Sequence, residues 1–349
     1  MPNVSAERLT EIAKGLLIGA GAPADEAATV ARLSIAANLA GHDSHGIIMI
    51  PSYIERMKVG HIVPGAKWEI TQESPTTPVI DGHWGFGYVA TEKAMRYTIE
   101  KARTQNVAAA TVFRQGHIGR LASYPLMAAA EGMIAMITAD SGRSPKQVAP
   151  FGGAKARLGT NPISFAFPSD MPGPFFFDMA TSAAAAGKVL LAVARGKEVP
   201  AGWIIDSEGK PTTDPRKLRQ GGALLPLGGA EGYKGYGLAS VVEIFSGLLT
   251  GLGFGIEPTG RHNDGCFIAV FKVSAFRDLA TFKREVTEFA NYLKDTPAAE
   301  GFDRVYYPGE VEWEKEQDRR KNGIPIEDAT WEVVTKLAKE LGCAEKLGL

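Results

Sequence analysis

Cysteine is nearly absent from this 349-residue chain: only Cys266 and Cys343 occur. Two widely separated cysteines cannot form a disulfide framework, and they fit a reducing, cytoplasmic setting. An excess of one charge is also missing. The 38 Lys and Arg residues nearly balance 39 Asp and Glu, for a formal net charge of -1. That balance offers no clustered basic footprint for nucleic acid. Long apolar runs are lacking too. The most membrane-like stretch, Leu238 to Ile256, carries Glu243 and several glycines and reads as a buried helix rather than a span. Met1-Pro2-Asn3-Val4-Ser5 lacks a basic start followed by an apolar run, so no signal peptide is expected.

What is present suffices for a large core. Hydrophobic residues make up 45% of the chain, and 40 glycines and 21 prolines point to many tight turns rather than a coiled coil. Length alone allows one to three domains.

The first sixty residues read as a helical unit. Ser5 can cap a helix with Leu9, Ile12 and Leu16 on one face, which Gly19 to Pro23 breaks. A second helix carries Val30, Leu33 and Ala37, and Gly41 is placed to end it in a left-handed turn. Pro51 suits the start of a third helix, which Gly60 stops. From Trp68 onward short strands alternate with helices: strand 78–81, helix 90–103, strand 107–113, helix 123–131 and strand 133–138. Strands 163–167 and 175–177 follow, then a small-residue helix from about Ser182. Residues 200–229 read as a turn-rich surface excursion. A buried helix 238–249, a strand 267–271, a helix 279–293 and a charged helical tail complete the chain. This alternation predicts an α/β layered domain.

Gly41-His42-Asp43-Ser44-His45-Gly46 is the densest stretch of chemistry-bearing residues. Two imidazoles, a carboxylate and a hydroxyl sit between glycines at a helix-ending turn. Histidine is the side chain best suited to proton transfer near neutral pH. The bland alternative is a polar loop with solvated histidines. Gly85-Phe86-Gly87-Tyr88-Val89-Ala90 matches the dinucleotide fingerprint G-x-G-x-x-A. Its preceding strand is short, and His83 and Trp84 intervene, so a glycine-rich turn is the better reading. A metal site built on His42 and His45 lacks a third ligand in sequence, since His61, His83, His117 and His262 are scattered. Other loops could carry proton or anion chemistry. They are Arg114 to Gly119 with His117, Phe177 to Ser182 with Asp178, and Gly232 to Gly237 with Lys234. Each alone reads as a capped turn or an exposed lysine. Together they imply an elongated anionic ligand lying across several loops.

These motifs resemble the malate/L-lactate dehydrogenase family of non-Rossmann fold, whose members include ureidoglycolate and sulfolactate dehydrogenases, diketogulonate reductase and piperideine-carboxylate reductase. The resemblance runs nearly end to end. It rests on Gly41 to Gly46, Gly116 to Gly119, Phe151-Gly152-Gly153, Leu158 to Pro162 and Asp178 to Ser182 with Gly187-Lys188. Pro200 to Asp206, Pro211 to Pro215, Lys234 to Gly237 and Pro308 to Glu310 complete it. Ala36 to Tyr53 looks most like the hydroxycarboxylate dehydrogenase (phenylpyruvate-type reductase) branch. The resemblance implies a mixed-sheet fold with a helical domain built from residues 1–72 and 310–349, and an α/β cofactor- and substrate-binding domain over 73–309. It implies NAD or NADP as cofactor, 2-oxo and 2-hydroxy acids as substrates, and a homodimer.

It also implies roles by position. His45 beside Ser44 would give and take the proton, with His117 the second active-site histidine. Asp178 would orient a catalytic histidine or the nicotinamide end. His117, Ser141, Thr160, Asp178, Met179, Ala180, Thr181, Ser182, Lys234, Pro308, Gly309 and Glu310 would line the cofactor site. Relatives often carry arginine five residues after the motif serine, where it clamps the substrate carboxylate. Met49 stands there in this chain, leaving Arg56, Arg120 or Arg143 for that task and favouring a bulkier substrate. Tyr233 replaces a frequent histidine before Lys234. The alternatives are an imine reductase acting on cyclic imino acids, a metal-dependent hydrolase or lyase, and a non-catalytic dinucleotide-binding protein.

Overall fold

The computed structural model describes residues 1–140, 146–256, 261 and 264–349. Ser141, Arg143 and His262 lie outside the described residues. A short strand β1 (Asn3–Val4) leads into α1 (Ala6–Gly19), α2 (Ala24–Leu39) and α3 (Ile50–Lys58). The Ser5 hydroxyl accepts the Arg8 N–H at 3.2 Å, capping α1 as its sequence requires. Leu9, Ile12 and Leu16 are fully buried. Gly41 takes φ +86° after α2, a conformation open to glycine at little cost.

The sheet begins with β2 (Glu69–Glu73) and β3 (Pro78–Gly85), followed by α4 (Gly87–Gln105), β4 (Val107–Gln115), α5 (Pro125–Ala129) and β5 (Met133–Ala139). Then come β6 (Ile163–Phe167), β7 (Phe175–Met179) and α6 (Ala186–Ala194), and the short strands β8 (Ile204–Ile205), β9 (Pro211–Thr212) and β10 (Ala223–Leu224). The chain continues through α7 (Gly232–Glu243), β11 (Cys266–Lys272), α8 (Leu279–Lys294) and α9 (Glu310–Asn322). It ends with β12 (Ile324–Pro325) and α10 (Asp328–Glu340).

Seven strands form one mixed sheet in the order β2-β3-β4-β11-β5-β6-β7. Only β3 and β4 run parallel, joined by α4, and every other neighbouring pair is antiparallel. Alternation along β11 decides what each face meets. Cys266, Ile268 and Val270 are buried with the main core, and the Cys266 thiol reaches Thr91 of α4. Phe267 points the other way and stacks on Phe245, just past α7, at 4.6 Å. The chain termini meet through β1 and β12, which pair antiparallel. One continuous hydrophobic cluster contains Leu9, Ile47 and Val334 from the terminal helical segments together with Ala94, Ile137 and Ile268.

Several local readings change. The strand expected over 78–81 runs to Gly85 across a bulge in which His83 and Trp84 take positive φ, and sequence alternation cannot report such a bulge. The helix expected over 123–131 shrinks to a 3-10 turn followed by α5, which Pro125 starts. The small-residue helix begins at Ala186 instead of Ser182. The backbone before it is held extended against 225–227: the Ala183 N–H reaches Leu225 O at 2.8 Å and the Leu227 N–H reaches Thr181 O at 2.9 Å. Residues 200–229 are more than a surface excursion. Their small three-stranded sheet, β10-β8-β9, buries Ile204 and Leu224 against Val148, Ala184, Val189 and Val199. The segment 238–249 is not buried all round. Val241, Ile244, Leu248 and Leu249 are each 43–56% exposed. Among the described residues no helix is long and apolar enough to cross a membrane.

Gly85 to Ala90 does join a strand to a helix, yet the N-terminus of α4 faces protein. A Cβ on Gly87 would fall 2.0 Å from Gly116 O and 2.6 Å from His117 O. The glycine is there so that the His117 loop can close onto α4, with Phe86 and Tyr88 buried on either side.

Candidate active site

The histidine turn and the His117 loop, 72 residues apart, meet where the helical segments pack on the sheet. Ser44 and His45 lie on a single 3-10 turn, Asp43–His45. The Ser44 hydroxyl is 3.0 Å from His45 Nδ1. The His45 and His117 rings stack with centroids 5.7 Å apart and planes 25° from parallel. Behind His117, Nδ1 is 2.7 Å from the Tyr53 hydroxyl, which is 3.1 Å from the Tyr88 hydroxyl. Burial raises both phenols, Tyr53 well above the ordinary tyrosine value, so they stay neutral and can orient the ring.

Burial also pulls the His45 imidazole down to about 4, although its edge keeps some solvent contact. The neighbouring His42 and Arg120 push in the same direction, while Asp264 partly opposes them. At neutral pH His45 is therefore an uncharged base.

Arg120 follows the His117 loop and is 8% exposed. Its guanidinium lies 5.0 Å above the Phe176 ring, and Nε has no hydrogen-bond partner among the described residues. Burial disfavours its charge, and the carboxylates Asp178, Glu312 and Glu316 only partly offset that. Asp178, at the end of β7, accepts the Ala122 N–H at 2.8 Å. Burial raises the Asp178 carboxyl, against the pull of that N–H, Arg120 and His42. His42 lies 3.6 Å from Glu312, and this contact lowers the Glu312 carboxyl.

The remaining candidates occupy different surroundings. Thr181 joins two loops, its hydroxyl donating to Thr160 O at 3.1 Å and Asn161 O at 3.0 Å. The Ser182 hydroxyl donates to Ala184 O at 2.8 Å. Met179 and Ala180 are half-buried beside them. Helix α6 starts without a side-chain cap, and a Cβ on Gly187 in its first turn would sit 3.8 Å from the Ser44 Cβ. Lys234 is exposed, 3.1 Å from Glu231 and 5.6 Å from the Tyr233 ring centroid. Pro308 O accepts the Phe176 N–H, and Gly309 packs on Phe176. Glu310 is buried, bonded to Lys294 and to the Tyr307 N–H. Met49 is half-buried against the main core. Arg56 is half-buried with Nη1 lacking a hydrogen-bond partner among the described residues. No three His, Cys, Asp or Glu side chains among the described residues come together as metal ligands.

The family model for malate/L-lactate dehydrogenase matches residues 4–335. The chain belongs to the malate/L-lactate dehydrogenase family. A malate dehydrogenase of Pyrococcus abyssi is 36% identical over 92% of this chain and 90% of its own. A hydroxycarboxylate dehydrogenase of Escherichia coli O157:H7 is 35% identical over 93% of this chain and 91% of its own. The solved malate dehydrogenase of Entamoeba histolytica superposes with a TM-score of 0.93 at 36% identity, over 98% of both chains. A piperideine-2-carboxylate reductase of Pseudomonas syringae gives 0.85 at 29% identity, covering 97% of this chain and all of its own. This member of the family is thus an oxidoreductase of the hydroxy-acid dehydrogenase type.

Sequence reasoning named Ser44, His45, His117 and Asp178 but passed over Tyr53, Tyr88 and Asp264. Tyr53 lies eight residues after His45, and only the path of α3 turns it toward His117. Asp264, which accepts the Ile118 N–H at 3.3 Å, carries no sequence signal at all.

Proposed function

We propose that the protein interconverts 2-oxo acids and 2-hydroxy acids with NAD or NADP, His45 carrying the proton. The observation that supports this most is the Ser44–His45 pair stacked over His117, with His45 buried as a neutral base. With Nδ1 engaged by Ser44, Nε2 is the nitrogen available to the substrate oxygen. During oxidation Nε2 takes the hydroxyl proton as the C–H leaves as hydride; during reduction it returns the proton to the forming alkoxide. The nicotinamide, when bound, accepts or supplies that hydride. Its chain-side partners would be His117, Thr160, Asp178 to Ser182, Lys234 and Pro308 to Glu310. The uncapped start of α6 beside Ser44 fits an anionic dinucleotide, since its free N–H groups attract phosphate.

Arg120 and Arg56 are the described cations available for the substrate carboxylate in place of the arginine absent at Met49. Arg120 has the stronger claim, because its charge acts directly on His45. In the proposed division, residues 1–72 with 310–349 supply the histidine turn and 73–309 supply His117 and Asp178; the β1–β12 pairing supports that grouping. The exposed apolar face around Ile244 supports a homodimer, and the two free cysteines support a cytoplasmic setting. The second reading, reduction of a cyclic imino acid, is favoured by the structural likeness to the piperideine-2-carboxylate reductase.

The test is oxidation of NADH and, separately, NADPH in the presence of pyruvate, oxaloacetate, phenylpyruvate, hydroxyphenylpyruvate or a cyclic imine. Turnover of the open-chain acids is expected; activity on the imine alone would select the second reading. His45→Ala should lower turnover by a factor on the order of 10² to 10⁴ while cofactor affinity is nearly kept. Undiminished turnover would move the proton role to His117. Chelator-sensitive hydrolysis with no cofactor binding would replace the dehydrogenase reading altogether.

A further inference from the structure

The turn that carries Ser44 and His45 is held from the far end of the chain. Arg319 lies on α9, and its side chain is 10% exposed. It grips Asp43 with two prongs, Nη1 donating to Oδ1 at 2.6 Å and Nη2 to Oδ2 at 3.0 Å. Nη1 also donates to the Asn38 carbonyl at the end of α2. Asn38 closes the mesh: its Nδ2 donates to Asp43 Oδ1 at 2.6 Å, and its Oδ1 accepts the Ile47 N–H at 2.8 Å. A Cβ on Gly46 would fall 2.1 Å from Asn38 Oδ1, so glycine is required for the amide to sit there. The mesh thus fixes the turn at Asp43 and at Ile47, on either side of Ser44 and His45.

We propose that Arg319 is a positioning residue, which through its two-pronged bond to Asp43 sets the place of the Ser44–His45 pair over His117. The inference rests on the proton role of His45 proposed above. A planar guanidinium bound to both carboxylate oxygens fixes angle as well as distance, which an ammonium cannot do. The Asp43 side chain is 52% exposed, and ion pairs with so wet a partner contribute little to overall stability. Losing the pair should therefore be read in the geometry of the turn before it is read in unfolding. The other groups acting on His45 are His42 on the same turn, Arg120 on the His117 loop and Asp264 ahead of β11.

The test uses Arg319→Gln, Arg319→Lys and Asp43→Asn in the full chain, with two readouts. The first is kcat for 2-oxo acid reduction beside cofactor affinity. A misplaced catalytic group costs up to about 100-fold in rate, so Arg319→Gln should lower kcat by about 10- to 100-fold with cofactor affinity within about twofold. Arg319→Lys should recover only part of the loss. The second needs no turnover: the His45 ring resonances, assigned with His45→Ala, followed through a pH titration. In Arg319→Gln they should shift and titrate nearer the ordinary histidine value as the turn opens to water. Should Arg319→Gln fail to fold, the lysine variant and Asp43→Asn carry both measurements. Ring resonances and titration identical to wild type would overturn the inference. A wild-type protein that turns over no oxo acid would sink the proposed reaction instead, and the ring resonances would still decide whether Arg319 sets the turn.

Discussion

The depressed basicity of His45 predicts an unusual pair of pH profiles. The imidazole sits at about 4 because burial and the neighbouring His42 and Arg120 disfavour its charged form. With the proton role proposed for His45, oxidation of a 2-hydroxy acid needs the neutral ring, so kcat/KM in that direction should stay flat from about pH 5 upward. Reduction of the 2-oxo acid needs the protonated ring. At pH 7 a group titrating at about 4 is protonated in only about one molecule in 10³. Between pH 5 and pH 7, kcat/KM for reduction should therefore fall by about 100-fold. Initial rates in both directions at saturating cofactor measure this. Stability carries the same sign: the unfolded chain binds the proton more readily, so native stability falls as pH drops below 6.5. The loss traceable to His45 is about 2 kcal/mol by pH 5, seen as the change in the wild-type minus His45→Gln difference in denaturant unfolding. A reduction profile that is level up to pH 6.5 and bends there would refute the reasoning, because it would show a proton donor with the basicity of a free histidine.

Other outcomes follow from single contacts. Tyr53→Phe removes the hydroxyl bonded to His117 Nδ1; a buried polar atom without its partner costs about 1–3 kcal/mol, so denaturant unfolding should report a loss of that size together with a lowered kcat. Gly87→Ala would drive a methyl into the backbone carbonyls of Gly116 and His117, with an expected loss of about 3 kcal/mol that unfolding midpoints would reveal. Ile244→Glu places a charge in the exposed apolar face formed with Val241, Leu248 and Leu249. Sedimentation should show the proposed dimer for the wild type and a monomer for the variant at the same concentration; a monomeric wild type would refute the dimer, and an unchanged dimer would locate the interface elsewhere.

Local chemistry written in neighbouring residues was legible without the fold. The Ser5 cap, the left-handed turn at Gly41, Pro51 in the first turn of α3 and the strand over 267–271 each depend on residues a few positions apart. The histidine turn was legible for the same reason, since Ser44 and His45 are adjacent and their contact is local. The glycines at 85 and 87 show the limit of such reading. The same pattern could admit a phosphate or a neighbouring loop, and only the position of Gly116 and His117 decides between them. What the tertiary structure alone settled are contacts between groups far apart in the chain. Tyr53 reaches His117 across 64 residues, Arg319 reaches Asp43 across 276, and Arg120 and Asp178 face one another across the end of β7. It also decided that the segment after α7 leaves one apolar face in solvent, although its composition reads as interior. The physical reason is one of range. Caps, turns and periodicity are energies of adjacent residues. A site assembled from four distant segments depends on how helices and sheet pack, and packing is a property of the whole chain.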